Sequence, residues 1–579
     1  MLCVYLCTHE RKCVRKVVAC LKNQCSQLPS VLPQFVEIHG GDDSSNIEFH
    51  LNLRSLEKFN GFRADYLPNL ENISSDSLIH GVWSVTDKRG PKCIFRICSD
   101  VFLKEVLEDV INKPNLIRKR NSIVNNHIGR RIVVEFSSPN IAKPFHVGHL
   151  RSTVIGNFIS KLHEYLTFDV LKLNYLGDWG TQMGLLAVGL DMLKYSDDVV
   201  KQNPIGTLYE AYVTANKEAE HNPEIHVQAR KIFEQMENAD SEELGKWQLF
   251  RKYSVNELEK TYRRLGIKYD DFHWESMYRA KHIGWVMEMM EENGFVQTQE
   301  DGKCVIDLNG RKVTIVKSDG SMLYLTRDIA AAIERYRRFN FDEMIYVVEN
   351  GQSDHLSTLF TTLKKLGLPW AHTLKHVKFG RIHGMSTRRG QTVFLKDVLD
   401  EAELIMKNKQ NKSATTRQDM AEDTADVLGM SAVIINDLKQ RRLKDYEFNW
   451  NKALQVEGDT GIRLQYTHCR LWNLEKNSGA SLAYNCDPSV LNELEAIVLV
   501  REIARFEEVL LKTYSELEAC HLVQYLFHIC NAVNKAFNVL QVKDQGLHIA
   551  SQRLMMFHAA RIVLNQGMRI LGLKPLEEM

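Results

Sequence analysis

An apolar run, a loop and a helical period follow one another between residues 131 and 178, and this order constrains the fold more than any other feature of the chain. RIVVEF (131–136) is typical of a buried strand, residues 147–166 carry the apolar period of a helix, and DVLKLNYLGD (169–178) is a second strand. This order predicts a βαβ unit and therefore a parallel sheet. Ligands bind such sheets at the carboxyl ends of the strands, so the loop SSPNIAKPFHVGHLRST (137–153) is predicted to lie at a binding edge.

The loop has the residues that a polyphosphate site needs. Gly148 removes a side chain where a nucleotide must approach closely, while His146 and His149 can donate hydrogen bonds to phosphate oxygens ahead of a helix N-terminus. Two histidines at this spacing could also bind a metal, but no third ligand stands at a matching position. From these few letters alone, a core or capping role for both histidines is the competing interpretation.

Strand and helix patterns outside this unit divide the chain further. FVEIHG, IEFHLNL and KCIFRICS read as strands and SDVFLKEVLEDVINK as a helix, which predicts a small α+β domain over residues 27–118. A Rossmann-type parallel-sheet domain over residues 119–400 is predicted to carry a mostly helical insertion at 190–300, with strand patterns returning at KCVIDL, KVTIV, EMIYVVEN and HVKFGRI. No strand pattern follows, and residues 401–579 are predicted to form an all-α bundle.

Charge and cysteine content exclude several classes of protein. The 74 basic and 73 acidic residues nearly cancel, so any contact with RNA must come from local patches. Twelve cysteines without a CxxC pair fit a reducing compartment, and no apolar run is long enough for a membrane span. Residues 1–26 are basic with interleaved apolar residues, which fits either a mitochondrial presequence or the basic first helix of an ordinary domain.

Several ordered motifs resemble one family of enzymes. VVEFSSPNIAKPFHVGHLRSTVIGN, NYLGDWGTQMG, SDGSMLYLTRDIAAAIER, YVVENGQSDH, HGMSTRRGQTVFL and GDTGIRLQYTHCR stand in the order found in class I aminoacyl-tRNA synthetases, and most resemble the arginyl enzymes. The resemblance covers residues 125–579 and is weak before them. It implies the class I Rossmann-type catalytic domain, a tRNA-contacting N-terminal domain, and a helical stem with an anticodon-binding domain.

The resemblance also implies an arginine site. A selective site for a planar cation needs carboxylates, and the family places its guanidinium partners at Glu135 and Asp328. Tyr324 stands one helical turn before Asp328, so both side chains can face one cavity. The other implied arginine contacts are Ser138 and Asn140 at the α-amino and carboxylate end, and Gln352. Taken singly, each of these is better interpreted as a surface or capping residue, and Asp328 as the partner of neighbouring Arg327 in an ion pair. Together, on the rim of one sheet, they favour the arginine site.

A second signature of the class, a lysine-rich loop that steadies pyrophosphate, is altered here. The matching segment is HGMSTRRG (383–390), which lacks the second lysine of the pattern. Many arginyl enzymes share this departure and use a lysine ahead of the histidine motif, where this chain has Lys143. The resemblance therefore implies a catalytic set of Lys143, His146 and His149, and an ATP site formed by His146, Gly148, His149, Met385, Ser386 and Arg388.

The reaction that the resemblance implies has two steps. L-arginine and ATP, with Mg²⁺ accompanying the ATP, give arginyl-AMP and pyrophosphate, and the 3′ end of tRNA(Arg) then displaces AMP. The family's anticodon-binding domain is named for a D-A-L-R tetrad, for which this chain has His558, Ala559, Ala560 and Arg561. Arg463 and Tyr466 are candidate RNA contacts, although Tyr466 is equally well interpreted as a core aromatic.

Four competing functions are weighed against this one. A glutamate enzyme should have basic residues in place of Glu135 and Asp328, a cysteine enzyme should supply zinc thiolates, and a small-molecule adenylyltransferase has no use for the helical end. A catalytically inactive tRNA-binding paralogue should have lost Lys143, His146 or His149, all of which are present. The wording of the motifs and the basic N-terminus favour the mitochondrial matrix over the cytoplasm, and the protein is expected to act as a monomer with no membrane partner.

Overall fold

The structure is a computed structural model, and it contains both helices and strands. It describes residues 36–40, 46–53, 78–87, 90–112, 129–141, 145, 147–238, 244–308, 310–318, 324–383, 394–412, 423–455 and 458–579. The strands are β1 Val36–Gly40, β2 Ile47–Asn52, β3 Ile79–Asp87, β4 Gly90–Ile97, β5 Arg131–Glu135, β6 Asp169–Leu176, β7 Asp271–Trp274, β8 Val296–Thr298, β9 Cys304–Leu308, β10 Arg311–Val316, β11 Glu343–Glu349, β12 Leu374–Phe379, β13 Ile382–His383 and β14 Tyr446–Glu447.

Helices account for most of the second half of the chain. They are α1 Ser99–Asn112, α2 Val147–Tyr165, α3 Thr181–Leu193, α4 Asp197–Gln202, α5 Pro204–His221, α6 Glu224–Asn238, α7 Gly245–Arg264, α8 Ala280–Glu292, α9 Tyr324–Phe339, α10 Ser353–Lys365, α11 Leu395–Lys412, α12 Thr424–Leu438, α13 Trp450–Ala453, α14 Gly461–Asn477, α15 Leu494–Ala504, α16 Phe506–Glu516, α17 Ala519–Val539 and α18 Leu547–Ile570. Within the described ranges, none of them is both long and apolar enough to cross a lipid bilayer.

The predicted βαβ unit forms the centre of a parallel sheet. Its five strands lie in the order β12-β11-β5-β6-β7, and every neighbouring pair is parallel. The sheet is covered on both faces: Ile132 and Val134 belong to the apolar cluster that contains Phe158 of α2, and Val133 to the cluster that contains Ile329 of α9. This two-sided burial explains why RIVVEF is almost continuously apolar.

Two short strands were not predicted from the sequence patterns. Asp271–Trp274 joins the parallel sheet as an edge strand, although the range around it was predicted to be mostly helical. Val296–Thr298 also lies in that range, and it pairs with β9 in a separate antiparallel sheet of order β10-β9-β8. Both strands are too short, at four and three residues, to show a period of their own.

The N-terminal part is a four-stranded antiparallel sheet with one helix. The strand order is β1-β2-β4-β3, and β3 was not among the predicted strands. This part docks on the C-terminal helices: the backbone N–H of Ile38 donates to Glu508, and the backbone N–H of Cys486 donates to Glu108 of α1. The C-terminal part therefore contacts both the N-terminal sheet and its helix.

The expectation of no strand after residue 400 is wrong at one place. Strand β14, Tyr446–Glu447, pairs in parallel with β13. A two-residue strand has no period, and it forms only because a distant part of the chain supplies its partner.

Residues 441–448, here named the linking segment, connect this pair to helix α2. Arg151 on α2 is 1% exposed, and its guanidinium donates to the backbone carbonyls of Arg441 and Lys444 and pairs with Asp437 at 3.2 Å. The backbone N–H of Arg381 donates to Asp445 at 2.6 Å, on the other side of the segment. The linking segment therefore holds both α2 and the strand that leads to residues 384–390.

Gly461, at the start of α14, packs directly against α12. A Cβ atom built there would lie 2.0 Å from the carbonyl oxygen of Ser431, a backbone atom that cannot move aside. We expect Gly461→Ala to lower the free energy of unfolding by about 1–3 kcal/mol, the usual cost of overpacking. Thermal unfolding checks this. Gly284→Ala is the matched helical control, because a Cβ atom there meets nothing within 4 Å, and its midpoint should stay unchanged or rise.

Candidate active site

A cavity of about 380 Å³ opens at the carboxyl ends of β5, β6 and β11. We name it the strand-end cavity. Its lining residues are Glu135, Ser138, Tyr175, Glu275, Tyr324, Arg327, Asp328, Arg335, Tyr346, Val348, Gln352, His355, Leu356 and Leu359. Five of the six arginine-contact candidates therefore share one cavity, at the sheet edge where the βαβ order predicted a site. The sixth, Asn140, forms an isolated bridge with Gly177 at the end of β6.

The turn after β5 is held in an unusual backbone conformation. Ser137 and Ser138 have φ values of 73° and 46°, in the left-handed region that residues with a Cβ rarely adopt. The Ser137 hydroxyl shares a 2.8 Å hydrogen bond with Tyr262, and the Ser138 backbone N–H donates to Asn174. Buried partners thus fix the turn, as is common where backbone strain serves a binding site.

Asp328 faces the cavity from the first turns of α9, and His355 is its partner. The two side chains meet at 2.6 Å, and this hydrogen bond raises the pKa of His355. The alternative pairing of Asp328 with Arg327 is not seen, since Arg327 contacts Glu237 at 3.4 Å and the carbonyl of Tyr278. Tyr324, one turn earlier on α9, is 57% exposed at the cavity mouth.

Glu135 has a cationic partner inside the protein, which sequence reasoning missed. Arg335 on α9 pairs with it at 2.6 Å and is 2% exposed, and its guanidinium lies 4.5 Å from the ring centre of Tyr175. Burial raises the pKa of Glu135, and the charge of Arg335 opposes that rise. The spacing held a signal for this residue, because Asp328 and Arg335 are two helical turns apart on one face of α9.

The nucleotide loop is described only in part. Lys143 and His146 lie outside the described residues, and so do Met385, Ser386 and Arg388. Gly148 and His149 stand in the first turn of α2, as predicted, and the His149 ring stacks on Phe145 at 5.6 Å. The backbone carbonyl of Phe145 accepts a hydrogen bond from Leu395 at the start of α11, so α11 lies beside this loop.

The two candidate RNA contacts differ in exposure. Tyr466 is 45% exposed, so the interpretation as a core aromatic is wrong, and the guanidinium of Arg470 lies over its ring at 5.6 Å. Arg463 is held by Asp459 and Asn531, and its side chain is 19% exposed. Tyr466 is thus the more accessible of the two.

The segment 558–561 lacks the aspartate of the D-A-L-R tetrad, and a carboxylate on another helix contacts its arginine. Glu475 of α14 pairs with Arg561 at 2.6 Å and with His558 at 2.9 Å, while Ala559 and Ala560 are fully buried. The structure therefore supplies a carboxylate for the arginine although the first position of the tetrad is a histidine. Nothing in the local spacing pointed to Glu475, which is 86 residues away from Arg561.

Comparisons with known proteins agree with this architecture. The family model "tRNA synthetases class I (R), catalytic domain" matches residues 112–450, and "DALR anticodon binding domain" matches residues 464–579. Crystal structures of arginyl-tRNA synthetases superpose over nearly the whole chain. The Thermus thermophilus protein gives a TM-score of 0.78 at 21% identity, covering 98% of this chain and 100% of that one. The Plasmodium falciparum protein gives 0.76 at 23% identity, covering 98% and 99%.

Relatives of higher identity cover most of the chain. "Probable arginine–tRNA ligase, mitochondrial" of Mus musculus is 37% identical over 98% of this chain and 99% of its own length. "Arginine–tRNA ligase, mitochondrial" of Saccharomyces cerevisiae is 38% identical over 93% and 87%. A cytoplasmic relative from Dictyostelium discoideum is 40% identical over 84% and 86%. With a catalytic-domain model that spans more than half of its residues, the chain belongs to the arginine–tRNA ligases, the arginyl family of class I aminoacyl-tRNA synthetases.

Proposed function

We propose that the strand-end cavity binds L-arginine and that the protein performs both steps of arginyl-tRNA synthesis. The carboxylate of arginine attacks the α-phosphate of ATP to give arginyl-AMP and pyrophosphate, and the terminal ribose of tRNA(Arg) then displaces AMP. Positioning and charge stabilisation suffice for both steps, so no protein nucleophile is needed. The observation that carries the proposal is one cavity, at the carboxyl ends of parallel strands, that holds Glu135, Asp328 and Gln352 together.

Each of the six arginine-contact candidates has a proposed role. Asp328 receives the guanidinium, because its carboxylate is partly accessible and its half-buried partner His355 can share it. Glu135 contributes carboxylate oxygens to the cavity wall, and Arg335 balances its charge. Tyr324, Ser138, Asn140 and Gln352 position the rest of the amino acid, as the family resemblance implies.

ATP is proposed to bind where α2 begins. The N-terminus of α2 contributes Gly148 and His149 from its first turn. In this proposal, His146 and the residues 385–388 of the altered signature complete the site. Mg²⁺ is proposed to bind together with the phosphates of ATP. Within the described ranges, no group of three His, Cys, Asp or Glu side chains could hold a metal ion. Bound Mg²⁺ would neutralise phosphate charge, and the residues named here bind and orient.

The remaining proposals concern tRNA and location. Tyr466 and Arg463 are proposed to contact tRNA, with Tyr466 stacking on a base from its exposed position. Residues 1–26 are proposed as a mitochondrial presequence, residues 27–118 as a tRNA-contacting domain, 119–400 as the catalytic domain and 401–579 as the stem and anticodon-binding domain. Several relatives are mitochondrial, which supports the matrix, and a monomer is proposed as the working form.

Arginine-dependent pyrophosphate exchange tests the proposed function. The purified protein is assayed with and without tRNA(Arg), using lysine and glutamate as control amino acids. Exchange with arginine and tRNA together, and not with the controls, is the expected result. Absence of exchange from a folded protein that still binds tRNA would establish the inactive tRNA-binding paralogue instead.

Lys143→Ala is expected to slow adenylate formation about 10²-fold while leaving the KM for arginine nearly unchanged. The reason is that a point charge near the leaving phosphate matters mainly as charge develops in the transition state. Single-turnover measurement of arginyl-AMP formation checks the rate. Lys161→Ala is the control, since Lys161 lies on α2 and pairs with Glu164. An equal rise in the KM for arginine would contradict the role given to Lys143.

A further inference from the structure

Three carboxylates line the strand-end cavity, and only two of them have a cationic partner. Glu135 pairs with Arg335, and Asp328 pairs with His355. Glu275 forms no ion pair within the described part of the chain. Its Oε2 atom is buried and has no hydrogen-bond partner among the described residues. A buried acceptor of this kind, on the wall of a binding cavity, indicates that a ligand supplies the missing donor.

Glu275 owes its position to the segment after β7. It is the first residue of a short 3₁₀ turn, Glu275–Met277, which directly follows that edge strand. The next residue, Ser276, donates from its backbone N–H and its hydroxyl to Asp178 at 3.0 and 2.6 Å, and this fixes the turn against the end of β6. The Glu275 carboxylate itself accepts a hydrogen bond from the backbone N–H of Trp179.

The charges around Glu275 come from several elements. Asp178, beside β6, has the cation of Arg251 at 3.2 Å, and its own pKa is raised by burial. Helix α9 contributes Asp328 and Arg327, the latter already engaged by Glu237. The other titratable or charged side chains that line the cavity are Glu135, Arg335, Tyr175, Tyr324, Tyr346 and His355. Burial raises the pKa of Glu275 to about 8; the charge of Arg327 lowers it, and Asp328 and Asp178 raise it.

We propose that Glu275 is a further amino-acid-binding residue, which carries a proton in the ligand-free cavity and releases it to solvent when a cationic group of arginine binds against it. The inference rests on the proposed function. The balance is simple: the carboxyl O–H bond breaks, the proton passes to water or buffer, and the carboxylate gains the donor that its Oε2 lacks. The cationic group of arginine enters the cavity as the proton of Glu275 leaves it, so the buried carboxyl group is either neutral or paired with a cation.

This exchange makes arginine affinity depend on pH. Below the pKa of Glu275, each unit of decreasing pH weakens binding about tenfold, because the proton must leave before the carboxylate can pair. Above that pKa the affinity is level. A group that served only to support the fold would not shift the KM for arginine in this way.

The test measures kcat and the KM for arginine in complete aminoacylation between pH 6.5 and 8.5. For the unaltered protein the KM should fall about twentyfold over this range. For Glu275→Gln the KM should lose most of this pH dependence, since His355 beside Asp328 still titrates. It should be higher than that of the unaltered protein at pH 8.5 and close to it at pH 6.5, where both side chains at position 275 are neutral. Glu288→Gln is the matched control: that carboxylate is exposed on α8, outside the cavity lining, and its variant should keep the pH dependence.

Calorimetry gives a second readout that does not depend on the variant. Arginine is titrated at pH 7 into the protein–tRNA complex in buffers of different ionisation enthalpy, and about one proton should be released per arginine bound. Binding without proton release, or a KM independent of pH in the unaltered protein, overturns the inference while leaving the proposed function intact. Loss of all arginine-dependent aminoacylation in the unaltered protein would instead refute the proposed function, and the inference with it.

Discussion

Replacing Asp328 by asparagine is expected to lower kcat/KM for arginine by about 10²–10³-fold. Removing one member of a desolvated charge pair costs about 3–4 kcal/mol, because the guanidinium remains in the cavity without its counter-charge. Asparagine keeps the size of the side chain and can still accept a hydrogen bond from His355, so the loss should report charge rather than shape. Steady-state aminoacylation checks the result, with the KM for ATP expected to stay nearly constant.

A nearby carboxylate provides the control for this prediction. Asp354 precedes His355 on α10 and is exposed outside the cavity lining. Asp354→Asn removes the same charge from the same part of the surface, and it should change kcat/KM for arginine less than twofold. An unchanged KM for arginine in Asp328→Asn would show that the guanidinium binds elsewhere.

Arg151→Met is expected to lower the free energy of unfolding by about 3–5 kcal/mol. The substitution leaves Asp437, which is 2% exposed, without its cation, and it removes two donors from backbone carbonyls of the linking segment. Urea unfolding followed by tryptophan fluorescence measures the shift of the transition that involves this region. Adding Asp437→Asn should recover part of the loss, because asparagine is neutral and still accepts a hydrogen bond from Tyr446.

The loss should also depend on pH in a known direction. Burial raises the pKa of Asp437 to about 6, opposed by the charge of Arg151, and losing that charge raises the pKa further. The folded protein then binds a proton that the unfolded chain does not hold above about pH 4, so its stability is greater at low pH and decreases as pH rises. Arg151→Met should therefore be less destabilised at pH 5 than at pH 7. A loss that is the same at both would contradict the buried pair.

Local patterns predicted those parts of the fold that depend on local order. The strand, loop and helix around RIVVEF show a period in the sequence, and the structure contains them with ends within a residue or two of the prediction. The edge strand Asp271–Trp274 and strand β14 were missed, because each is too short for a period and exists through pairing with a distant strand. Strand β3, which is long enough, lies where Gly81 and several polar residues blur the alternation.

The sequence predicted part of the cavity lining but not the ion pairs within it. The family resemblance and the helical spacing predicted that Tyr324, Asp328 and Glu135 share one site, and all three line the cavity. The helical spacing places Arg335 on the face of α9 that carries Asp328, but its ion pair with Glu135 joins residues 200 positions apart, and spacing within one helix does not indicate that partner. Glu275 was missed because its importance comes from its burial and from an Oε2 atom that has no hydrogen-bond partner among the described residues. Neither property can be inferred from its neighbours in the chain.

The linking segment has a mechanical consequence for the catalytic half of the protein. It is fixed at one side to α2 through Arg151, at another to the strand that precedes residues 384–390, and at a third to the start of α17, where Glu518 accepts a hydrogen bond from Arg442. The segment therefore joins three elements: α2, strand β13 and helix α17 of the C-terminal bundle. Because one segment contacts all three, a displacement of α17 is expected to move α2 and β13 together.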